Sequence, residues 1–307
     1  MEPLLIIVGP TAVGKTELAL TLAEEIGAEI ISADSIQVYR GMDIGTAKPT
    51  HAERARVPHH LIDVVEPAAE FSVGEYLRLA EEAMSDIRLR DRTPLVVGGT
   101  GLYVRALTRG LFEGPSADWT FREALVERER VEGPGTLHAE LKVADPDSAS
   151  RIHPSDVRRI VRALEVYHRE GATISQRQLE HRSTSSVRPV RVVGLRRQRP
   201  ELYTRIDSRV DAMMQAGLLD EVTALRGRGC TRDIVSMQAL GYKQLMIHLD
   251  GETTLDEAVR LIKRDTRHYA KRQFTWFNAE DGIRWVDLDG LSDREAMAGL
   301  KKSLDIF

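Results

Sequence analysis

Eight residues near the N-terminus have the types and spacing needed to hold phosphate. Gly9-Pro10-Thr11-Ala12-Val13-Gly14-Lys15-Thr16 matches the phosphate-loop pattern G-x-x-x-x-G-K-[ST] at each fixed position. In such a loop the backbone N–H groups point inward and the dipole of the following helix adds positive potential. Lys15 supplies a full charge, and Thr16 offers a hydroxyl to Mg²⁺. Asp34 is the second candidate. It ends the run Ala28-Glu29-Ile30-Ile31-Ser32-Ala33, which reads as a strand. In a parallel sheet the carboxyl end of that strand opens on the same edge as the loop. A carboxylate there can act as general base or hydrogen-bond acceptor toward a substrate lying over the phosphates. It can equally be a helix N-cap or turn aspartate.

The elements around these residues fit an α/β fold. Leu4-Leu5-Ile6-Ile7-Val8 is an unbroken apolar run, as expected of a buried parallel strand. After the loop, Leu18, Ala19, Leu22, Ala23 and Ile26 share one helical face, and Gly27 marks the C-terminal cap. Phe71 to Leu89 reads as a helix, and Pro94-Leu95-Val96-Val97 as a buried strand closed by Gly98-Gly99-Thr100-Gly101. Composition turns to loop residues at 112–118. From Phe121 to about Glu180 only helical patterns appear, broken at Gly133-Pro134-Gly135 and Asp145-Pro146. Strand signals return at Val190 to Leu195 and Ile283 to Val286, with helical patterns between. The expected architecture is a phosphate-loop NTPase-like core with a parallel sheet, residues 1–115 and 187–307, plus a helical insertion domain, residues 116–186.

Bulk properties narrow the function classes. The chain has 307 residues, of which 42% are hydrophobic, enough for a proper core. No apolar run reaches membrane-span length, and the first run lacks the basic flank of a signal peptide. Cys230 is the only cysteine, which leaves no disulfide framework and no cysteine-based zinc site. A cytoplasmic protein without a membrane partner is expected. The net charge of −4 hides an asymmetry. Acids crowd the first third, whereas basic residues gather at 151–169, 188–199 and 260–272, and local clusters decide where a polyanion docks. His59-His60 lacks a third ligand at a diagnostic spacing, so both are expected to make structural hydrogen bonds. An ATP-dependent kinase usually carries a magnesium-holding acid at the end of a second apolar strand. Here that strand ends in Gly98-Gly99, which does not exclude a kinase but suggests a diphosphate that leaves rather than a phosphoryl group that transfers.

Longer stretches carry a family resemblance. The loop octet, followed by Asp34-Ser35-Ile36-Gln37-Val38-Tyr39-Arg40-Gly41-Met42-Asp43-Ile44-Gly45-Thr46-Ala47-Lys48-Pro49, resembles the start of the tRNA dimethylallyltransferases, also called tRNA isopentenyltransferases. Pro58 to Asp63, Gly98 to Tyr103, Arg151 to Pro154, Gln238 to Lys243 and Tyr269 to Phe277 are similar to later motifs of that family, in order and over nearly the whole chain. Eukaryotic members often add a C-terminal zinc finger. With one cysteine and an end soon after the last motif, this chain is similar to the compact bacterial type.

The resemblance implies transfer of a dimethylallyl group from dimethylallyl diphosphate to N6 of adenosine 37 in tRNA. Lys15, the amides of residues 11–16 and Mg²⁺ at Thr16 would absorb charge on the departing diphosphate. Arg209 is implied as a second cationic clamp, and Asp34 takes the family's base position. Ser35, Ile36 and Gln37 are implied beside the target nucleotide, which must be flipped out of its stack. Thr100, Arg122, Gln238, Gly241, Tyr242, Lys243, Lys271, Arg272 and Gln273 match positions that touch tRNA. So does the segment Arg158-Arg159-Ile160-Val161-Arg162. Read without the family, that segment is equally a solvated helix paired to Asp156 and Glu165. Arg260, Arg264, Arg267 and Lys271 recur at helical spacing near Tyr269, Phe274, Trp276 and Phe277, a pattern suited to phosphates and unpaired bases. The chain is expected to be a monomer.

Three competing readings follow from the same residues. A small-molecule kinase would bind ATP in the loop and release ADP. A prenyltransferase acting on free adenine nucleotides would label AMP rather than tRNA. An RNA-binding module with a relic loop would tolerate Lys15→Ala.

Overall fold

A computed structural model of the chain describes residues 2–111, 114–184 and 188–306. The chain divides into two compact units, Met1–Thr108 with Arg188–Phe307, and Arg109–Val187. The helical unit therefore starts at Arg109 rather than at 116. Its expected return at 186–187 lies outside the described residues, as do positions 112 and 113 of the expected loop stretch.

The first unit begins with strand β1 (Leu4–Val8), helix α1 (Lys15–Ile26), strand β2 (Ala28–Ala33), helix α2 (His51–Arg56) and strand β3 (His59–His60). Helix α3 (Val73–Leu89), strand β4 (Thr93–Gly98) and helix α4 (Gly101–Arg109) follow. The second unit holds α5 (Trp119–Glu132), α6 (Thr136–Ala144), α7 (Pro146–Arg151), α8 (Val157–Glu170) and α9 (Ile174–Thr184). The first unit resumes with β5 (Val190–Arg196), α10 (Arg199–Gln215), α11 (Leu218–Gly227), a 3₁₀ turn at Val235–Gln238, α12 (Tyr242–Leu249), α13 (Leu255–Asn278), β6 (Ile283–Asp287) and α14 (Asp293–Ser303).

The six strands form one parallel sheet in the order β3-β2-β4-β1-β5-β6. Because alternate strand residues face opposite sides, the run Leu4 to Val8 serves two cores. Leu5 and Ile7 pack toward α1, α10 and α14 with Leu18, Leu22, Ile206 and Leu300. Leu4, Ile6 and Val8 pack toward α3 and α4 with Tyr76, Met84, Ile87 and Val104. Burial on both faces is what an all-parallel sheet requires. It places the carboxyl ends of β1, β2 and β4 on one edge, where ligands bind in such sheets.

The second unit has its own apolar core, built from Leu125, Leu137, Leu141, Ile160, Val161 and Leu164. Its helix breaks fall where the sequence punctuates them, at Gly133 and Gly135, both at positive φ, and at Asp145, which caps α7 through its side chain. No helix among the described residues is long and apolar enough to cross a membrane.

Candidate active site at the carboxyl edge of the sheet

The loop between β1 and α1 is held in shape from several directions. Gly14 precedes α1 at φ +110°, a conformation an L side chain rarely adopts. No side chain caps the helix, so its first-turn amides keep their anion-binding capacity. Lys15 Nζ donates to Gly9 O at 2.8 Å and Pro10 O at 2.7 Å, which folds the ammonium over the loop. From outside, Arg205 Nε donates to Ala12 O at 2.9 Å and Arg197 Nε to Val13 O at 3.0 Å. The Thr11 amide is not open to a ligand, because it donates to Gln273 Oε1 at 2.9 Å. That corrects the expectation that all amides from 11 to 16 face the anion.

A cavity of about 750 Å³ opens over this loop, lined by Lys15, Thr16, Asp34, Arg205, Arg209 and Tyr269 among others. A second, about 350 Å³, shares Thr11, Asp34, Thr46, Arg209 and Tyr269 with it. Beyond that shared wall it is lined by Ile36, Ile206, Val210, Met213, Leu218 and Ile262. A charged chamber and a more apolar one thus meet at Asp34, the arrangement needed for a ligand with a polyanionic head and a hydrocarbon tail.

The electrostatics of the meeting point are unusual. Withdrawal from water, together with the Arg209 guanidinium, brings Lys15 down to about 7, against the opposing pull of Asp34. Burial likewise lowers Arg209, with Asp34 pulling it up and Arg205 pushing it down. Arg209 makes no hydrogen bond or ion pair among the described residues. Two cations held close without a carboxylate in contact create a site that an anion would relieve. Burial raises the Tyr269 phenol, and the Asp34 charge raises it further.

Asp34 is fixed by its own turn. Its Oδ1 accepts from Ile36 N at 2.8 Å and Gln37 N at 3.3 Å, while Oδ2 accepts no hydrogen bond from the described residues. Oδ1 thus caps the turn, as the turn reading of Asp34 expects, and the residue also lines both cavities. Thr100 Oγ1 accepts from Ser35 N at 3.0 Å, which ties the β4–α4 turn to this segment. The Gln37 carboxamide is bonded through both of its polar atoms. It accepts from Ser32 Oγ at 2.9 Å and donates toward Thr46 O and Ala47 O, both at 3.3 Å. It anchors the 46–47 loop while lining the larger cavity.

The remaining expected RNA contacts separate into exposed and committed groups. Arg158, Lys243, Lys271 and Arg272 are exposed. Gln238 is exposed too, although its amide donates to Arg232 O. Ile160 and Val161 are buried in the core of the helical unit, so their side chains are not surface contacts. Arg122 Nη2 and Arg162 Nη1 both reach Glu165, at 2.8 and 2.5 Å, and Arg159 pairs with Asp156 at 3.3 Å. Arg159 and Arg162 thus have the partners that the ion-paired reading of their segment names, and Arg122 shares Glu165. Tyr242 is buried and donates to Glu221 at 2.6 Å, and Gly241 is buried beside it. Gln273 is 7% exposed and braces the loop from within. Arg260, Arg264 and Arg267 pair with Glu257, Asp265 and Asp207, leaving Lys271 as the member of that row with no ion pair among the described residues.

Sequence reasoning missed Glu221, Arg205 and Arg197. Glu221 accepts from the amides of Asp43, Ile44 and Gly45 as well as from Tyr242, and so closes the loop over the second cavity. No local signal marks these residues, since each acts on backbone far away in sequence. His59 and His60 make the structural contacts expected of them, to Val57 O at 2.7 Å and Glu29 at 2.7 Å.

Fold and site together define a phosphate-loop protein with a cation-lined cavity beside a carboxylate. Comparison with known proteins makes this specific. The family model described as IPP transferase matches residues 37–280, and that of isopentenyl transferase matches residues 2–62. The tRNA dimethylallyltransferase 2 of Geotalea uraniireducens is 53% identical over 284 residues, 92% of each chain. A tRNA dimethylallyltransferase of Syntrophobacter fumaroxidans is 50% identical over 93% of this chain and 83% of its own. Among solved structures, the tRNA isopentenylpyrophosphate transferase of Bacillus halodurans superposes with a TM-score of 0.71 at 42% identity, covering 99% of this chain and 98% of that one. A eukaryotic dimethylallyltransferase acting on tRNA superposes with a TM-score of 0.81 at 28% identity, covering 97% and 78%. The chain belongs to the IPP transferase family of tRNA-modifying prenyltransferases.

Proposed function

We propose that the chain transfers the dimethylallyl group of dimethylallyl diphosphate to N6 of adenosine 37, in the anticodon loop of tRNA, and releases diphosphate. The observation that carries the reading is the pair Lys15 and Arg209, withdrawn from water and facing Asp34 where a charged and an apolar cavity meet. In the reaction the C1–O bond of the donor breaks and its electrons pass to the diphosphate. The N6 lone pair forms the new bond to C1, and the amine proton passes to Asp34. Lys15, Arg209 and the first-turn amides of α1 favour the charge that builds on the leaving group, usually the largest catalytic contribution. The adenine amine is a weak nucleophile because its lone pair is delocalised, and a positioned base contributes about 10²–10⁴-fold.

The residues also fit a magnesium ion. Thr16 is exposed and lines the larger cavity beside Lys15. Thr16 would offer such an ion its hydroxyl. Such an ion neutralises developing phosphate charge. Arg158, Lys271 and Arg272, exposed on their helices, are the side chains best placed for phosphate contacts that position RNA without reading sequence. A monomer working in the cytoplasm completes the reading. Mass spectrometry of nucleosides from tRNA incubated with the chain, Mg²⁺ and dimethylallyl diphosphate tests it. N6-(dimethylallyl)adenosine is the expected product, whereas label in AMP alone, or ADP release from ATP, would reject the assignment.

A further inference from the structure

Gln273 occupies a position that the reaction chemistry does not explain. Its carboxamide joins two segments remote in sequence: Oε1 accepts from Thr11 N at 2.9 Å, and Nε2 donates to Gly99 O at 2.9 Å. The fit depends on a missing side chain, since a Cβ at Gly99 would lie 2.2 Å from Nε2. Tyr269, one turn earlier on α13, also faces Gln273 and Thr100.

The location matters because of where the lysine lies. In a phosphate loop the lysine reaches the outer phosphates while the backbone amides cradle the inner ones. Here Lys15 Nζ sits against Gly9 O and Pro10 O, so the outer end of the phosphate path lies beside residues 9–11. At that end the Thr11 amide is already bonded, and an oxygen with partial negative charge stands in its place. The first-turn amides of α1, at the inner end, carry no side-chain cap.

We propose that Gln273 is a specificity-determining residue that limits the loop to two phosphates. It removes one donor from the outer end of the path and sets an acceptor oxygen where a third phosphate would lie. The inference rests on the reading that this loop holds the diphosphate of the donor. It gives a physical reason why a loop with the full NTP-binding pattern takes an allylic diphosphate.

Calorimetric titration of the full chain with inorganic diphosphate and inorganic triphosphate, each with Mg²⁺, tests the proposal. The unaltered chain is expected to prefer diphosphate. Gln273→Ala frees the Thr11 amide, so triphosphate affinity rises about tenfold and the preference narrows. Gln273→Glu retains the acceptor for Thr11 N and adds charge, so triphosphate is rejected at least as strongly as before. An unchanged ratio in Gln273→Ala, or equal loss of both anions in both variants, overturns the proposal. Lys15→Ala is the control for the underlying reading and should lose both anions. Undiminished diphosphate binding in that variant would refute the loop reading, and the selectivity proposal with it.

Discussion

Glu165 in the helical unit and the cations around the phosphate loop handle buried charge in opposite ways. Glu165 has no exposed side-chain surface and gathers Arg122, Arg162 and the Asp118 amide. Burial alone would raise its carboxyl, but those hydrogen bonds outweigh burial and hold it below its ordinary value. Lys15 and Arg209 are half-buried, yet among the described residues neither has a carboxylate in hydrogen-bond contact, and desolvation lowers both. In the first place the field of each charge is closed within the fold. In the second it stays open and awaits an anion. A basic residue in a sequence therefore marks a polyanion site only where the fold leaves it unpaired, and most arginines of the three basic clusters are paired.

The comparison can be broken at its open end first. Asp34→Asn retains an acceptor for the turn amides and removes the base, so the single-turnover rate on tRNA should fall about 10³-fold, within the usual range for a positioned base. Its donor affinity should change little, and an equal fall in both would recast Asp34 as a purely structural turn residue. Arg209→Gln should slow the same step by roughly 10²-fold, the scale of one preorganised charge-stabilising donor.

At the closed end, Glu165→Ala leaves two arginines without their partner. They retain 24% and 31% side-chain exposure and can rehydrate, so a loss of about 3 kcal/mol is expected, at the low end for a broken buried pair. Thermal or urea unfolding followed by circular dichroism measures it. The pH sign follows from the direction of the shift. A carboxyl lower in the folded than in the unfolded state stabilises above its ordinary value of 4.5, and that contribution disappears as pH falls through the folded value. The unaltered chain should lose this increment below about pH 4.5, whereas Glu165→Gln should lack the transition.

The Lys15 shift supplies a smaller, sharper test. With its free-state value near 7, Lys15 binds diphosphate in the charged form below that pH and must take up a proton above it. Diphosphate affinity should therefore fall by up to about tenfold per pH unit above 7. Lys15→Arg, which stays charged, should lose that part of the slope. Smallest of all, Arg158→Ala should raise the tRNA KM a few-fold and shallow its salt dependence by about one unit, as expected for one phosphate contact. Arg159→Ala, whose partner is Asp156, should do less.

Much of this was legible in the chain. The octet at 9–16 and the alternating strand and helix signals specified the loop and the edge on which it opens. The run Leu4 to Val8 is apolar throughout because both faces of β1 are covered, a local signature of a non-local fact. Gly27, Gly133 and Asp145 end or start helices where the sequence punctuates them. What stayed hidden joins residues far apart. Thr11 meets Gln273 across 262 positions, and Arg205 meets Ala12 across 193. Periodicity reports which face of an element is buried, not which distant backbone atom a polar side chain will find. The same limit explains why nothing in the sequence singles out Glu221, which collects three amides and a phenol.

The most direct test is a structure of the full chain with an anticodon stem-loop and a non-reactive thio analogue of dimethylallyl diphosphate. The account predicts the diphosphate on the first-turn amides of α1 and Lys15, with the everted adenine N6 within about 3.2 Å of the Asp34 carboxylate. A diphosphate bound elsewhere, or an adenine seated away from Asp34 while the loop is filled, would contradict it.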